Sequence, residues 1–598
     1  MAGAAWAAYL AYPFMNVRFA SYDDEGYMLS ILGGTSSGGD LYDQVFSQYG
    51  PFFNEFYNSL FWLLRLPYTH DAGRAVTITG WVLVSVVTGL AAARATKSRA
   101  AGFAVQALVF CSMTWAANEP LHPVLLTSLL LAGVFLASSV LDDGARRPAL
   151  ILGVLLACLT LIKINVGLLA VVAVLVAVLF GRGRAARPTL LSRTIAVVLV
   201  IVPVLLMARD LSTSASFAIL ASCAAASVLL AAVQGRTRDP VAFPADLVLP
   251  LAAGFAAAAS IICALALVRG TSLKGLFDGV LLDPLHQRDV FSIPLTIPGP
   301  AIVAGIGGAA LVAYLGHWQR TATSEVPVTG LVRLAAAALI TMAVARWWGT
   351  NPIAYALPLM GLAALPPPGA RQTTGRVALP ALAVMSSLHA YPVAGSQMGA
   401  ATFLFLAVAG VCAVDGLRDL SRWSVREPGR LALRGAATAG AALLTIFYAG
   451  PPLTRPFERA WITYRAQPSL SLPGAKRIHL DPAAVKRYQD LVAGLRATCS
   501  TFYGLPGQNS LYRFSGLPQV NGHNATAWMF LLDDGQQSDV AGALAADRRS
   551  CVVRDDALTQ GWLRGRALPR GPIVQLIDAQ YVPLNSYGSS QILVRRGR

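Results

Sequence analysis

The chain has 598 residues, 55% of them hydrophobic and only 13% charged. Soluble globular proteins carry about 25% charged residues, so most of this surface must face lipid; a soluble fold would need an implausibly large apolar core. The formal net charge of +17 would suggest nucleic acid in a soluble protein. Here Lys and Arg cluster in short loops between apolar runs, the pattern that orients membrane proteins, and no zinc-finger spacing or basic-aromatic platform supports a nucleic-acid partner.

A membrane-spanning helix needs about 20 apolar residues. The first predicted span is 1–19, and a polar segment, 20–70, follows. The first stretch lacks a basic n-region and an obvious cleavage site, so no cleavable signal peptide is expected; the run is short enough that the natural start could lie upstream of Met1. The next span, 73–93, runs into Arg94, Lys97 and Arg99. Those residues put that end in the cytoplasm and segment 20–70 outside. Spans at 101–118 and 123–141 enclose the outer turn Asn118-Glu119-Pro120-Leu121-His122-Pro123, and Arg146 and Arg147 mark the next inner loop. Two short spans, 148–162 and 165–180, enclose Lys163-Ile164-Asn165 outside; Arg182, Arg184 and Arg187 return the chain inside. Further spans are expected at 192–208, 215–233, 247–268, 298–316, 331–347, 352–366, 377–390, 398–416 and 434–450. The inner loops between them carry Arg236, Arg238, Arg320, Arg371, Arg376, Arg418, Arg422, Arg426 and Arg430. This predicts a transmembrane domain, 1–450, of about fifteen helices, with the N-terminus cytoplasmic and the C-terminus outside. Arg346, Trp347 and Trp348 read as an interface anchor.

Residues 451–598 turn polar and are expected to form a separate extracytoplasmic α/β domain. Val485, Tyr488, Leu491, Val492 and Leu495 repeat at helical spacing over 482–497. Ile573–Ile577 and Gln591–Val594 read as strands, and 504–509 as a loop by its Gly, Pro and Asn content. Cys111, Cys158, Cys223, Cys263 and Cys412 stand alone in apolar runs and read as buried small hydrophobes. Cys499 and Cys551 fall in the polar part; in an oxidising compartment they could form a disulfide, with two free thiols as the alternative. No Cys-x-x-Cys pair exists, which argues against structural zinc.

Every cytoplasmic loop is short, and none carries a phosphate-binding loop for a nucleotide sugar. Functional-looking polar residues collect outside instead: Asp23, Asp24, Glu25, Asp40, Asp43, Glu55, Glu119, His122, Lys163, Asn165, His389 and Gln397. Helix centres carry almost no charge, which counts against a transporter. The acidic run Asp23-Asp24-Glu25 is followed by Met28, Ile31 and Leu32 at helical spacing and by Gly33-Gly34 as a stop. This predicts a short helix lying along the membrane with the carboxylates at its start. Capping explains one or two of them, not three. Adjacent helical residues point about 100° apart, so Asp24 and Glu25 must have separate jobs. One could act as general base on an acceptor hydroxyl; the other could orient the acceptor or bind a divalent metal cation that neutralises a leaving phosphate. Glu119 and His122, three apart, could converge on the same site as substrate or metal ligands, together with Asp23; the alternative is a polar hairpin cap. Lys163 could pair with a lipid phosphate, or simply snorkel to the interface, and Arg18 is a candidate of the same kind. Tyr49, Asn165, His389 and Gln397 are candidates for positioning donor or acceptor.

In this setting Asp24-Glu25 directly after the first span, with Gly38-Gly39-Asp40-Leu41-Tyr42 and Gln48-Tyr49-Gly50-Pro51, resembles the large membrane glycosyltransferases of the C-type (GT-C) fold. That superfamily includes the protein O-mannosyltransferases and lipid A aminoarabinose transferases. The motif-level resemblance covers about residues 1–170; the rest agrees in architecture. It implies a polyprenyl-phosphate-linked sugar as donor, inversion at the anomeric carbon, Asp24 as general base with Glu25 beside it, and an outer domain that helps recognise a glycan, lipid or protein acceptor. Metal dependence varies within the superfamily. The family pattern is an acidic pair, so it does not extend to Asp23. The Arg- and Ala-rich composition suggests a high-GC bacterium, and the expected location is the bacterial inner (plasma) membrane. The competing readings are a flippase of lipid-linked sugars, a polysaccharide polymerase or ligase using a lipid diphosphate donor, and a non-catalytic assembly protein. Lipid diphosphate chemistry would require a second outer basic cluster, for which Arg269, Lys274 and Arg288 are the candidates.

Overall fold

A computed structural model describes residues 2–20, 22–143, 146–181, 190–234, 245–285, 292–321, 328–345, 351–367, 370, 372–395, 397–424 and 428–597. The protein is a multi-pass α-helical membrane protein with a small C-terminal α/β domain. Among the described residues, eight helices are long and apolar enough to cross a membrane, and three shorter apolar helices accompany them. Each of the fifteen predicted spans corresponds to helical structure, but several are short. The first is α1 (Ala2–Asn16), about 22 Å long at 1.5 Å per residue against a hydrocarbon core of about 30 Å. The predicted 352–366 is broken into Asn351–Ala356, a 3₁₀ turn and Gly361–Ala364. The basic residues Arg182, Arg184, Arg187, Arg236, Arg238, Arg288, Arg371 and Arg426, and the Arg346-Trp347-Trp348 anchor, lie outside the described residues.

The site is carried by the first third of the chain. After α1 come α2 (Asp24–Ser36), α3 (Pro51–Leu63), α4 (His70–Thr96), α5 (Arg99–Ala116), α6 (Pro123–Val140), α7 (Arg146–Thr160) and α8 (Ile164–Phe180). Three turns meet at one end of the bundle: the start of α2, the α5–α6 turn with Glu119 and His122, and the α7–α8 turn with Lys163. The segment Gln48–Phe52 docks on the last of these turns. Gly50 N–H donates to the Ile162 carbonyl (2.9 Å) and Phe52 N–H to that of Leu161 (3.0 Å). A Cβ on Gly50 would sit 2.1 Å from the Leu161 oxygen, so only glycine lets the chain dock there.

The structure corrects the expectation for α2. It runs through Gly33-Gly34 to Ser36, and Glu25 to Gly33 are all buried. It lies under the C-terminal domain rather than exposing one face to lipid. The contact is backbone-close: a Cβ on Gly26 would fall 2.2 Å from the Ser510 nitrogen. Arg513 reaches the Leu29 carbonyl at 2.9 Å.

The expected domain boundary at 450/451 falls inside a helix, Pro428–Ala466. The polar turn in composition begins earlier than the helix ends, because its outer half lines a cavity. Beyond it stands a four-stranded sheet: β1 (Thr501–Leu505), β2 (Ser550–Asp555), β3 (Tyr581–Tyr587) and β4 (Ser590–Arg595), in the order β1-β2-β4-β3. β1 and β2 are parallel; the other pairs are antiparallel. The amphipathic helix is found at Pro482–Thr498 and the strand at 591–594 within β4. Residues 573–577 are instead helical, in Pro572–Gln580; their short apolar run buries Ile573, Val574 and Ile577, a spacing that a helix serves as well as a strand. The Cys499–Cys551 disulfide is present and pins the end of the 482–498 helix to β2. It closes a loop of 52 residues. Cys551→Ser is expected to destabilise the outer domain by about 2–4 kcal/mol, seen as faster hydrogen exchange in β1 and β2; unchanged exchange would contradict a stabilising role.

Candidate active site

The first turn of α2 sends its three carboxylates to three partners. Asp23 is the N-cap, with left-handed backbone (φ 65°) and its side chain accepting from Gly26 N–H at 3.1 Å. It also accepts from Ser510 N–H at 2.6 Å and from the Ser510 hydroxyl, and that hydroxyl meets His70 Nε2 at 2.7 Å. Burial raises the Asp23 pKa to about 8, against the opposing pull of these hydrogen bonds. Its oxygens, expected to serve substrate or metal, are engaged in capping α2 and in joining it to the C-terminal domain.

Glu25 faces the opposite way. Arg74, on α4, grips it with Nε at 2.9 Å and Nη2 at 2.6 Å, in a pair that is almost fully buried. Arg74 also donates to the Met15 carbonyl and, at 2.8 Å, to the Arg18 carbonyl. Glu25 therefore fixes the end of α1 against α2 and α4. Both oxygens of the carboxylate expected to act beside Asp24 are engaged in this pair.

Asp24 turns toward the α5–α6 turn. One ligand atom from each of Asp24, Glu119 and His122 lies within 4.8 Å of the others. Thr526, from the C-terminal domain, is close enough to favour the Asp24 carboxylate. The Tyr22 hydroxyl donates to Glu119. The other Glu119 oxygen, Oε2, is buried without a hydrogen-bond partner, 3.6 Å from His122 Nε2. Burial raises both carboxyl pKa values, and the hydrogen bond between them lowers that of Asp24 while raising that of Glu119. Glu119 therefore holds the shared proton and Asp24 ionises first.

These residues meet a metal requirement only in part. His122 Nδ1 accepts the Val124 N–H at 3.2 Å, capping α6. Its proton must then sit on Nε2, which leaves no lone pair toward the carboxylates. Burial and Lys163 drive its pKa down to about 3, so it is neutral. Asp24 and Glu119, with the unpartnered Oε2, remain as oxygen donors of the kind a hard divalent ion takes.

Lys163 neighbours His122, with Nζ 3.0 Å from His389 Nε2. Burial lowers its pKa to about 7 and holds His389 neutral. Tyr49 packs edge-on against His122, ring centroids 6.2 Å apart. Asn165, in the first turn of α8, accepts from Val166 N–H at 2.9 Å, and Gln397 opens the Gln397–Ser424 helix without a hydrogen bond to the group. Arg18 stacks over Phe14 at 4.3 Å.

Asp24 and Glu119 stand on the wall of a cavity of about 1090 Å³, shared with Tyr22, Arg18, Arg455, Arg459, Trp562 and Arg564; Phe14, Trp115, Ile293, Val393 and Pro452 give it an apolar side. A smaller cavity of about 380 Å³ adjoins it and reaches Glu25 and Arg74. Of the residues not anticipated, Arg74 alone had a signal: a single charge at the start of an apolar span implies a buried partner. Tyr22, Ser510, Thr526 and the cavity arginines lie on loops and helix faces far apart in the chain, with no local pattern. The outer basic cluster that lipid diphosphate chemistry would need is neutralised where it is described: Arg269 pairs with Glu55 at 3.2 Å and Lys274 with Asp278 at 2.6 Å.

No protein-family model matches the chain, and no curated protein does. Among solved structures it is similar to the crystal structure of the Archaeoglobus fulgidus oligosaccharyltransferase tethered with an acceptor peptide containing the NVT sequon. That match has 12% identity, covers 97% of this chain and 72% of the other, and has a TM-score of 0.43. It is also similar to the oligosaccharyltransferase AglB of the same archaeon in complex with an inhibitory peptide and a dolichol-phosphate (12% identity, 99% and 74% covered, TM-score 0.43). A third similar structure is ArnT from Cupriavidus metallidurans bound to undecaprenyl phosphate (10% identity, 99% and 96% covered, TM-score 0.45).

Removing one member of a buried ion pair strands the other charge, at a cost of about 3–5 kcal/mol. Arg74→Met is therefore expected to lower the unfolding temperature sharply, and Arg74→Met combined with Glu25→Met to recover most of it. Equal unfolding temperatures for wild type and the single variant would contradict the positioning role of Glu25.

Proposed function

We propose that the protein is an inverting glycosyltransferase that moves a sugar from a polyprenyl-phosphate donor to an extracytoplasmic acceptor: a cell-envelope glycan, lipid or protein. The observation that carries this reading is Asp24, an ionisable carboxylate on the wall of a large half-apolar cavity, beside a carboxyl that holds the pair's shared proton. The membrane is the bacterial inner membrane, with the N-terminus cytoplasmic, the helical domain forming the site, and the C-terminal domain outside.

An alcohol becomes a competent nucleophile when its proton is removed in the transition state. Asp24 takes that proton as the acceptor oxygen attacks the anomeric carbon from the face opposite the phosphate. The bond from the anomeric carbon to the phosphate oxygen breaks, the electron pair leaves with the polyprenyl phosphate, and the configuration inverts. The raised Asp24 pKa suits a base that works near neutral pH. Glu119, anchored by Tyr22, keeps the second carboxyl neutral, so that no extra negative charge opposes the leaving phosphate. Lys163 supplies the positive charge that stabilises that phosphate, and the apolar side of the cavity takes the lipid. A divalent cation, if bound by Asp24 and Glu119, would supply further charge neutralisation.

Asp24→Asn is expected to cut transfer by about 100-fold or more with expression and unfolding temperature unchanged; full activity in that variant would overturn the assignment. Lys163 carries its charge below its pKa of about 7 and loses it above. The kcat/KM for donor should therefore fall as pH rises through 7, and Lys163→Arg should move that limb to higher pH. An unmoved limb would remove Lys163 from phosphate binding.

A further inference from the structure

Lys163 gives the reaction one cationic group, and it does not line the large cavity. The cavity also carries a second cationic set, drawn from two separate elements. Arg455 and Arg459 stand one turn apart on the Pro428–Ala466 helix and so share a face. Arg564 ends the helix Asp556–Leu563 in the C-terminal domain, with left-handed backbone. All three are exposed and line the cavity with Asp24 and Glu119. Neither Arg455 nor Arg459 is engaged by an ion pair among the described residues.

A transferase places its two substrates on two sides of its base. A donor with one phosphate needs one cationic site, for which Lys163 and, on the cavity wall beside Asp24, Arg18 suffice. The arginine wall then fits a second anion. We propose that the acceptor carries an oxyanion, a carboxylate or phosphate, and that Arg455, Arg459 and Arg564 bind it in the cavity that Asp24 lines; this rests on the glycosyltransferase reading above. Guanidinium forks bind both oxyanions bidentately, and three of them on two elements would fix the acceptor's orientation as well as its charge.

The competing explanation is that these arginines serve lipid headgroups, since the Pro428–Ala466 helix has a largely unburied span. The helical face argues against it. Pro452, Arg455, Pro456, Arg459, Ala460 and Thr463 all line the cavity and recur at i, i+3/i+4, i+7/i+8 and i+11, one continuous stripe. The exposed apolar side chains Ile446 and Phe447 fall off that stripe.

The test uses full-length protein in nanodiscs. The donor is the polyprenyl-phosphate lipid fraction from source cells grown on ¹³C-glucose; the acceptor is unlabelled membranes from cells lacking the protein. Labelled product is resolved by anion exchange and identified by mass spectrometry. The expected result is label in an acidic product. Arg455→Gln/Arg459→Gln, and independently Arg564→Gln, should raise the KM for acceptor membranes about tenfold or more and leave the KM for donor unchanged, and Arg455→Lys/Arg459→Lys should recover part of the loss. A neutral product overturns the proposal. So does a rise in donor KM alone, which would give these arginines to the donor phosphate, and so do unchanged KM values for both, which would give them to lipid headgroups. Those three outcomes leave the transferase reading standing; no transfer of label by the wild type would instead bring down that reading.

Discussion

Three consecutive carboxylates in one buried helical turn pose an electrostatic problem that the rest of the site answers. Buried carboxylates persist only when paired or hydrogen-bonded. The helical rotation of about 100° per residue separates them, and each separation recruits a different part of the chain. Asp23 meets Ser510 of the C-terminal domain, Glu25 meets Arg74 of α4, and Asp24 meets Glu119 of the α5–α6 turn. Two of the three are consumed in holding the turn, and the third is left at the cavity wall with its charge available. Which carboxylate is left at the cavity wall is thus defined by its neighbours' partners as much as by its own.

This arrangement makes the C-terminal domain part of the site. Ser510 completes the cap of α2, Thr526 stands beside Asp24, and Trp562 and Arg564 close the cavity. The apolar core is likewise continuous from the helix bundle to Trp528, with a second core around Leu491, Phe502 and Cys551. A buried Arg74 that also holds the end of α1 means that α1, α2 and α4 move as one body at this point. At the opposite end of the Thr374–Ser387 helix, about 20 Å away along its axis, Arg333–Asp419 (2.5 Å) and Arg376–Asp415 form buried ion pairs. They bind helix ends together, far from the cavity.

Much of this was legible from sequence for physical reasons. Apolar runs near membrane length mark helices whatever they pack against, so 73–93 and 123–141 are found within a few residues. The run Asp23-Asp24-Glu25 declares its helix start, and the lone cysteine pair in the polar region declares its crosslink. What local pattern cannot carry is partner identity. Glu25 looked like a second catalytic acid because Arg74, 49 residues on, is not visible as its partner. His122 looked like a metal ligand because the hydrogen bond that fixes its tautomer depends on how α6 begins. The cavity arginines read as part of a polar domain because nothing in their neighbourhood shows that they share a cavity with Asp24. The strand expected at 573–577 failed for a different reason: a five-residue apolar run fits either period.

The most direct measurement is to purify the full-length protein in native nanodiscs, identify the lipid that accompanies it by mass spectrometry, and locate that lipid by cryo-electron microscopy. The account predicts a polyprenyl monophosphate, free or carrying one sugar, with its phosphate between Lys163 and the Asp24–Glu119 pair and its chain along the apolar side of the cavity. A lipid diphosphate, or a polyprenyl phosphate bound away from Asp24, would contradict it.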